Sequence, residues 1–121
     1  MISEFDIGVS PLINNEMNRA KSAFKLKQYL SCGVPVMGSP TGENHRVIKE
    51  GENGYFCNSP EEFKNRIMEF YEMPVEQFEE FCKNARRSVE PFLMEKYVER
   101  ILDIFIHHID TLKYNRQNRS F

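Results

Sequence analysis

Up to about residue 58 the chain alternates short apolar runs with segments of mixed polarity; beyond it, apolar residues recur at helical spacing almost to the end. Phe5-Asp6-Ile7-Gly8-Val9-Ser10-Pro11-Leu12 is a brief, partly β-branched run that ends at a proline, the pattern of a buried strand leaving a sheet. Ile13 to Arg19 is polar and rich in Asn, and reads as a loop. From Lys21 to Ser31, Phe24, Leu26, Tyr29 and Leu30 fall near helical spacing and Gly33 supplies the stop. The spacing predicts a helix there, with Phe24 and Tyr29 in the core. Val34-Pro35-Val36-Met37-Gly38 is a second buried strand, its proline near the start, where a missing N–H is tolerated. Ser39-Pro40-Thr41-Gly42-Glu43-Asn44 is a tight loop in which Asn44 can cap a short helix through about Lys49. The Gly51-Glu52-Asn53-Gly54 turn leads into a very short third strand, Tyr55-Phe56-Cys57.

The second half reads as helices. Ser59-Pro60-Glu61-Glu62 combines a serine cap, proline at the first helical position and acids in the first turn. Phe63, Ile67, Phe70 and Tyr71 then mark a buried face. Pro74 separates that helix from one whose stripe is Phe78, Phe81, Cys82, Ala85 and Val89. After Pro91 the last helix, about Leu93 to Leu112, is amphipathic and expected to turn Val98, Ile101, Leu102, Phe105, Ile109 and Leu112 inward. The basic, polar end is expected to fray. Strands alternating with helices imply an α/β fold with parallel strands and right-handed crossovers. Three strands make a thin sheet where about five or six are usual. The expectation is therefore one partial domain: residues 1–58 as a strand/helix/strand region, 59–112 as C-terminal helices and 113–121 as a polar tail.

Composition removes several functions. Sixteen basic against 18 acidic side chains, net charge -2, give no electrostatic footprint for nucleic acid. Ten Phe and five Tyr in a chain that is 40% hydrophobic mark a folded domain rather than a disordered one. Acids stand near the N-terminus where a signal peptide carries bases, and no apolar run approaches the roughly 18–20 residues of a membrane span. Three cysteines, an odd number, fit reduced thiols in the cytoplasm. Cys32, Cys57 and Cys82 are far apart, with no CxxC and no His at ligand spacing, so no metal site is expected. His45 reads as a loop residue, and His107 and His108 cannot share one helix face.

Four ordered pieces resemble the C-terminal donor-binding domain of retaining GT-B glycosyltransferases, the large family-4 group. Asp6-Ile7-Gly8-Val9-Ser10-Pro11-Leu12 is similar to its "D-I-G-hydrophobic-x-P-L" strand. Lys21 to Val36 is similar to "K-x-x-F-K-x-x-E-Y-M-A-x-G-x-P-V". Ser39 to Asn44 follows "S-P-x-G-x-N". Gly51 to Tyr55 follows "G-x-N-G-hydrophobic", with Ser59-Pro60-Glu61-Glu62-Phe63 after it. The resemblance implies a partial Rossmann-like fold, with about three parallel strands flanked by helices and extra C-terminal helices.

It also implies a nucleotide-diphosphate sugar, such as a UDP- or GDP-hexose, as substrate, with no cofactor and no metal. In such sheets ligands bind at the carboxyl ends of the strands. Lys21, Lys25 and the helix N-terminus between them are the candidates for the diphosphate. Gly42 is first a turn glycine and second a place where a phosphate can approach backbone. The Lys pair reads equally as solvated helix charge. Pro11, Leu12, Phe24, Thr41 and Asn44 fall in the vicinity of nucleotide and sugar. The family's E-x7-E pair lands on Ala20 and Gln28, leaving Gln28 for the ribose, and the Glu that follows the glycine-rich loop lands on Arg46. No residue is assigned to catalysis. The resemblance places the earlier half of the domain and the whole acceptor domain outside this chain, so the isolated chain is expected to be inactive. The alternative is a non-catalytic remnant or assembly module that pairs through its exposed first strand, as a homodimer or with the missing half-domain. The expected location is cytoplasmic, with peripheral contact to the inner face of a membrane compatible and integral contact not.

Overall fold

The computed structural model describes Met1, Glu4 and residues 6–119; the start of the first strand expected at Phe5 lies outside the described residues. Its element order is β1 (Gly8–Ser10), α1 (Glu16–Arg19), α2 (Phe24–Ser31), β2 (Val36–Gly38), α3 (Asn44–Val47), β3 (Gly54–Phe56), α4 (Pro60–Glu72), α5 (Val75–Ser88), a 3-10 turn at Glu90–Phe92, and α6 (Met94–Gln117). The chain divides into two compact units, Met1–Val89 and Glu90–Phe121.

In the first unit the three strands form a parallel sheet in the order β1-β2-β3, with Gly8 opposite Val36 and Val36 opposite Gly54. Side chains alternate across it, as the pleat requires. Met37 and Tyr55 point to the face where Phe70 of α4 and Phe81 of α5 are buried, with Val9, Phe63 and Phe78 half-buried around them. Phe70 meets Tyr55, Phe78 and Phe81 at centroid distances of 5.4, 6.2 and 5.2 Å, tilted or edge-on, the geometry in which ring quadrupoles attract. On the other face, buried Leu26 and Leu30 of α2 lie beside buried Val47 and Ile48. This layer sits close because β1 and β2 place Gly8 and Gly38 there. A Cβ on Gly8 would overlap the Tyr29 side chain, and one on Gly38 would come within 2.9 Å of Ile48.

α4 starts as its sequence predicts: Ser59 Oγ accepts from the Glu62 N–H at 3.2 Å and Pro60 occupies the first turn. α5 carries the expected stripe, with Phe81, Ala85 and Val89 buried. Four local expectations change. Ile67 and Tyr71, expected on the buried face of α4, are exposed, because they line open cavities beside β1 rather than a packed layer. Residues 13–19, read as loop, contain the one-turn α1, capped by the Asn15 side chain. α2 begins at Phe24 rather than Lys21, because Ala23 takes a left-handed conformation (φ 53, ψ 29) that no helix can include. Asn44 does not cap α3. It is buried as the first residue of that turn, and its side-chain amide donates to the Ser39 carbonyl at 2.8 Å.

The second unit, taken by itself, is a 3-10 turn and the single 24-residue helix α6. α6 continues to Gln117, into the segment read from sequence as a polar tail. None of its residues is buried, and Val98, Ile101, Leu102, Phe105, Ile109 and Leu112 are all exposed, which corrects the expectation that this stripe faces inward. The physical reason is that one helix has no second layer of its own against which to bury a face.

Candidate functional site

The carboxyl end of β1, the loop before α2, the amino end of α2 and the start of α3 converge on one opening of about 490 Å³. Ser10, Leu12, Lys21, Phe24, Lys25 and Asn44 line it. Lys21 lies on the loop before α2 and Lys25 on its first turn; both are exposed. The left-handed turn at Ala23 decides this arrangement, since it swings the chain into α2 with no side chain capping the helix. The first-turn N–H groups of α2 are therefore left for another acceptor, at the positive end of the helix dipole. The ammonium of Lys25 also lies 5.9 Å from the Tyr29 ring centroid, a loose cation–π contact that leaves its donors usable.

The floor is held by backbone and small side chains. The Leu12 N–H donates to Ser39 Oγ at 2.9 Å, tying the end of β1 to the end of β2, and Asn44 holds the Ser39 carbonyl from below. Thr41 is buried, and Gly42, at φ 57, packs on the last turn of α1, where an added Cβ would come within 2.8 Å of the Arg19 carbonyl oxygen. Gly42 thus serves the turn and does not line the opening.

Five of the residues singled out in the sequence therefore come together: Leu12, Lys21, Phe24, Lys25 and Asn44. Phe24 corrects the expectation that it belongs to the core, for it is 66% exposed at the rim of the opening. Gln28 is exposed one helical turn beyond Phe24 and does not line the opening. Pro11 lines a separate apolar cavity on the other side of β1. Arg46 is exposed and pairs with Glu43 at 3.3 Å. Ser10 and Ser39 stand at the strand ends that the sequence marks, and Ala23 is the residue that sequence reasoning passed over. Ser39 stood inside a recognised loop motif, whereas nothing marks an alanine for positive φ. Among the described residues, no group of His, Cys, Asp and Glu side chains could hold a metal ion, and no helix is long and apolar enough to cross a membrane.

The model of one protein family, glycosyl transferases group 1, matches residues 22–88, more than half of the chain, from the loop before α2 to the end of α5. The chain belongs to that family. Spore coat protein SA of Bacillus subtilis (strain 168) is 30% identical over 80 residues, a stretch that covers 63% of this chain and 21% of that protein. Among solved structures, Anabaena HepE in complex with UDP superimposes with a TM-score of 0.69 at 16% identity, and HepE in complex with UDP-glucose with a TM-score of 0.66, also at 16% identity. Each HepE match covers 88% of this chain and 29% of HepE. The family chain described here thus spans about a fifth to under a third of the length of these relatives. Its three-stranded parallel sheet with flanking helices is a partial Rossmann-like fold of the GT-B glycosyltransferase kind.

Proposed function

We propose that the first unit is part of the donor-binding domain of a hexosyltransferase, and that the opening at the start of α2 receives the diphosphate of a nucleotide sugar. The observation that carries this reading is the position of Lys21 and Lys25 beside an uncapped helix N-terminus at the carboxyl edge of a parallel sheet. Two charges and a row of free N–H groups suit a diphosphate, whose negative charge grows as the glycosidic bond to the leaving group breaks. Fixed positive groups stabilise that charge in the transition state without needing to reorganise. Exposed Phe24 offers a flat apolar surface near the nucleotide, and Gln28, one turn further on, offers a neutral amide to the ribose hydroxyls. Leu12, Thr41 and Asn44 shape the floor, Pro11 shapes the end of β1, and Gly42 keeps the turn that lets the floor lie close. That HepE has been captured with UDP and UDP-glucose supports a uridine nucleotide as the first ligand to test.

On this reading the chain binds donor but does not turn it over alone. The matched stretch is only 21% of one relative and 29% of another, and on this reading the acceptor is held by parts that this chain does not include. Nothing in the reading calls for a metal, and the free thiols of Cys32, Cys57 and Cys82 agree with a cytoplasmic setting. A second reading, a non-catalytic assembly module or remnant that pairs through β1, is favoured by the carboxylates missing at Ala20 and Gln28. On either reading the outer side of β1 takes a further strand, from a second copy or from a complementary half-domain. Calorimetric titration with UDP, UDP-glucose and a GDP-hexose separates the two. The donor reading expects saturable heat with one of them, weakened about tenfold by Lys25→Ala, the loss of one charge-assisted contact. No heat from any of the three sinks the donor reading and leaves the assembly module.

A further inference from the structure

The loop from β2 to α3 is held at two successive residues. The Ser39 N–H donates to the Ser10 carbonyl at 3.2 Å, and Ser39 Oγ accepts from the Leu12 N–H at 2.9 Å, so both bonds reach the end of β1. The Ser39 carbonyl takes two donors, the Thr41 N–H and the Asn44 side-chain amide, each at 2.8 Å. Pro40 has no N–H to donate, and its carbonyl lies 2.9 Å from His45 Nε2. Neighbouring side chains of α3, Asn44 and His45, thus grip neighbouring carbonyls of the loop. A carbonyl only accepts, so His45 Nε2 carries the proton in this contact.

The imidazole is also backed from behind. Its ring lies against that of Phe56, with centroids 5.4 Å apart and planes tilted by 40°. Phe56 stands on the sheet face opposite Tyr55, in register with Gly38 of β2. The chain fixes this end of β3 itself: the Gly51 N–H donates to the Gly54 carbonyl at 2.9 Å, and the Phe56 N–H donates to the Glu50 carboxylate at 2.7 Å. Arg66 in turn pairs with Glu50 at 3.6 Å. An exposed histidine on a four-residue helix is ordinarily free to change rotamer, and here one contact backs the ring while another aims its donor.

We infer that His45 is a positioning residue for the donor opening. By holding the Pro40 carbonyl it fixes the Ser39–Pro40 segment, and through Ser39 it fixes Leu12 and Asn44, which line the opening. His45 itself does not line the opening and acts on the ligand only through these residues. The role rests on the reading of the opening as a diphosphate site. Because the bond to Pro40 is exposed, water replaces it when it is lost, and stability changes little. What is lost is fixed geometry. A wall that samples several positions must be ordered again when a ligand binds, and that ordering weakens binding.

Nitrogen NMR of the full chain tests it, with UDP titration run in parallel on two variants. His45→Phe keeps a ring against Phe56 and removes the donor; His45→Gln gives up the ring and keeps an amide donor at a similar reach. At about pH 8, above the ordinary histidine range, the His45 ring is expected to show the Nε2–H form. The Leu12 and Asn44 amide signals are expected to move in His45→Phe and to return in His45→Gln. UDP is expected to bind about fivefold more weakly to His45→Phe and within about twofold of the parent to His45→Gln, with urea midpoints nearly equal. Lys25→Ala is expected to weaken UDP while the Leu12 amide stays in place. An Nδ1–H ring, or Leu12 and Asn44 signals indifferent to His45→Phe, overturns the positioning role whether or not UDP binds. UDP affinity unchanged in His45→Phe overturns it as well. Signals that move as expected in a parent chain that takes no UDP overturn the donor reading instead. Should His45→Phe lose its fold by circular dichroism, His45→Ala takes its place in every comparison.

Discussion

Gly54 shows how much one side chain can decide in so small a sheet. A Cβ built there would collide with the Val36 backbone carbonyl, which cannot retreat without breaking the β2–β3 register. Gly54→Ala is therefore expected to cost about 3 kcal/mol or more, read as a drop in the urea midpoint. Gly51, by contrast, is at positive φ (75) and has open space around it. Its demand is conformational rather than spatial. The buried acids make a different prediction at this scale. Burial pushes the Cys57 thiol above its ordinary range, with the nearby Glu62 charge adding to it. Burial also raises Cys82, opposed by Arg86 and helped by Glu79. Tyr55 is raised by burial and by its hydrogen bond to Glu69 at 3.0 Å. Each is an acid whose neutral form the folded state prefers. Its contribution is complete below the unfolded value and is lost as pH rises through the folded one. Urea midpoints measured at rising pH are expected to hold near neutrality and to fall above about pH 8.5, where unfolded thiols begin to ionise. A Cys57→Ala/Cys82→Ala variant is expected to show a shallower fall, and an unchanged profile would deny that these thiols are the cause.

The elements behave according to how locally their signals were written. The start of α4 was legible in full, because Ser59, Pro60 and the two acids after them satisfy it within four residues, whereas Ile67 and Tyr71 of its expected buried face are exposed. α5 was equally legible from its stripe between Pro74 and Pro91. α2 was only half legible: the apolar spacing located it, but the left-handed Ala23 that sets its first residue has no sequence signature. That strained position yields a prediction. Ala23→Gly relieves a positive φ that alanine tolerates poorly, and is expected to leave stability unchanged or raise it by up to about 1 kcal/mol. The same change at Ala85, inside α5 and fully buried, is expected to cost at least about 1 kcal/mol. Thermal melts of the two variants side by side check the contrast. If both lose stability equally, Ala23 is not held in a left-handed conformation in solution.

For the molecule as a whole, the sheet, its two helical layers and the opening all belong to the first unit. A polypeptide of residues 1–89 is therefore expected to keep a cooperative urea transition with a midpoint close to that of the full chain. It is also expected to keep whatever response to UDP the full chain shows. A broad, non-cooperative transition would show that α6 is required for the core to form.

Some of this organisation was carried by local chemistry and could be read directly. Apolar runs, turn glycines and caps place three strands and the main helices. The order of four motifs points to the glycosyltransferase fold, because hydrophobic periodicity and turn chemistry act over a few residues at a time. Other features needed the assembled chain. The exposure of Phe24, the burial of Asn44 under Ser39, and the unlike finish of the two sheet edges all depend on which segments meet across the sheet. So does the position of Lys21 and Lys25 beside an uncapped helix end. No pattern along the chain records that Glu50 reaches the Phe56 N–H while Val9 is left open. That asymmetry arises only when parallel strands pair in register, so it belongs to the assembled sheet and not to any local pattern.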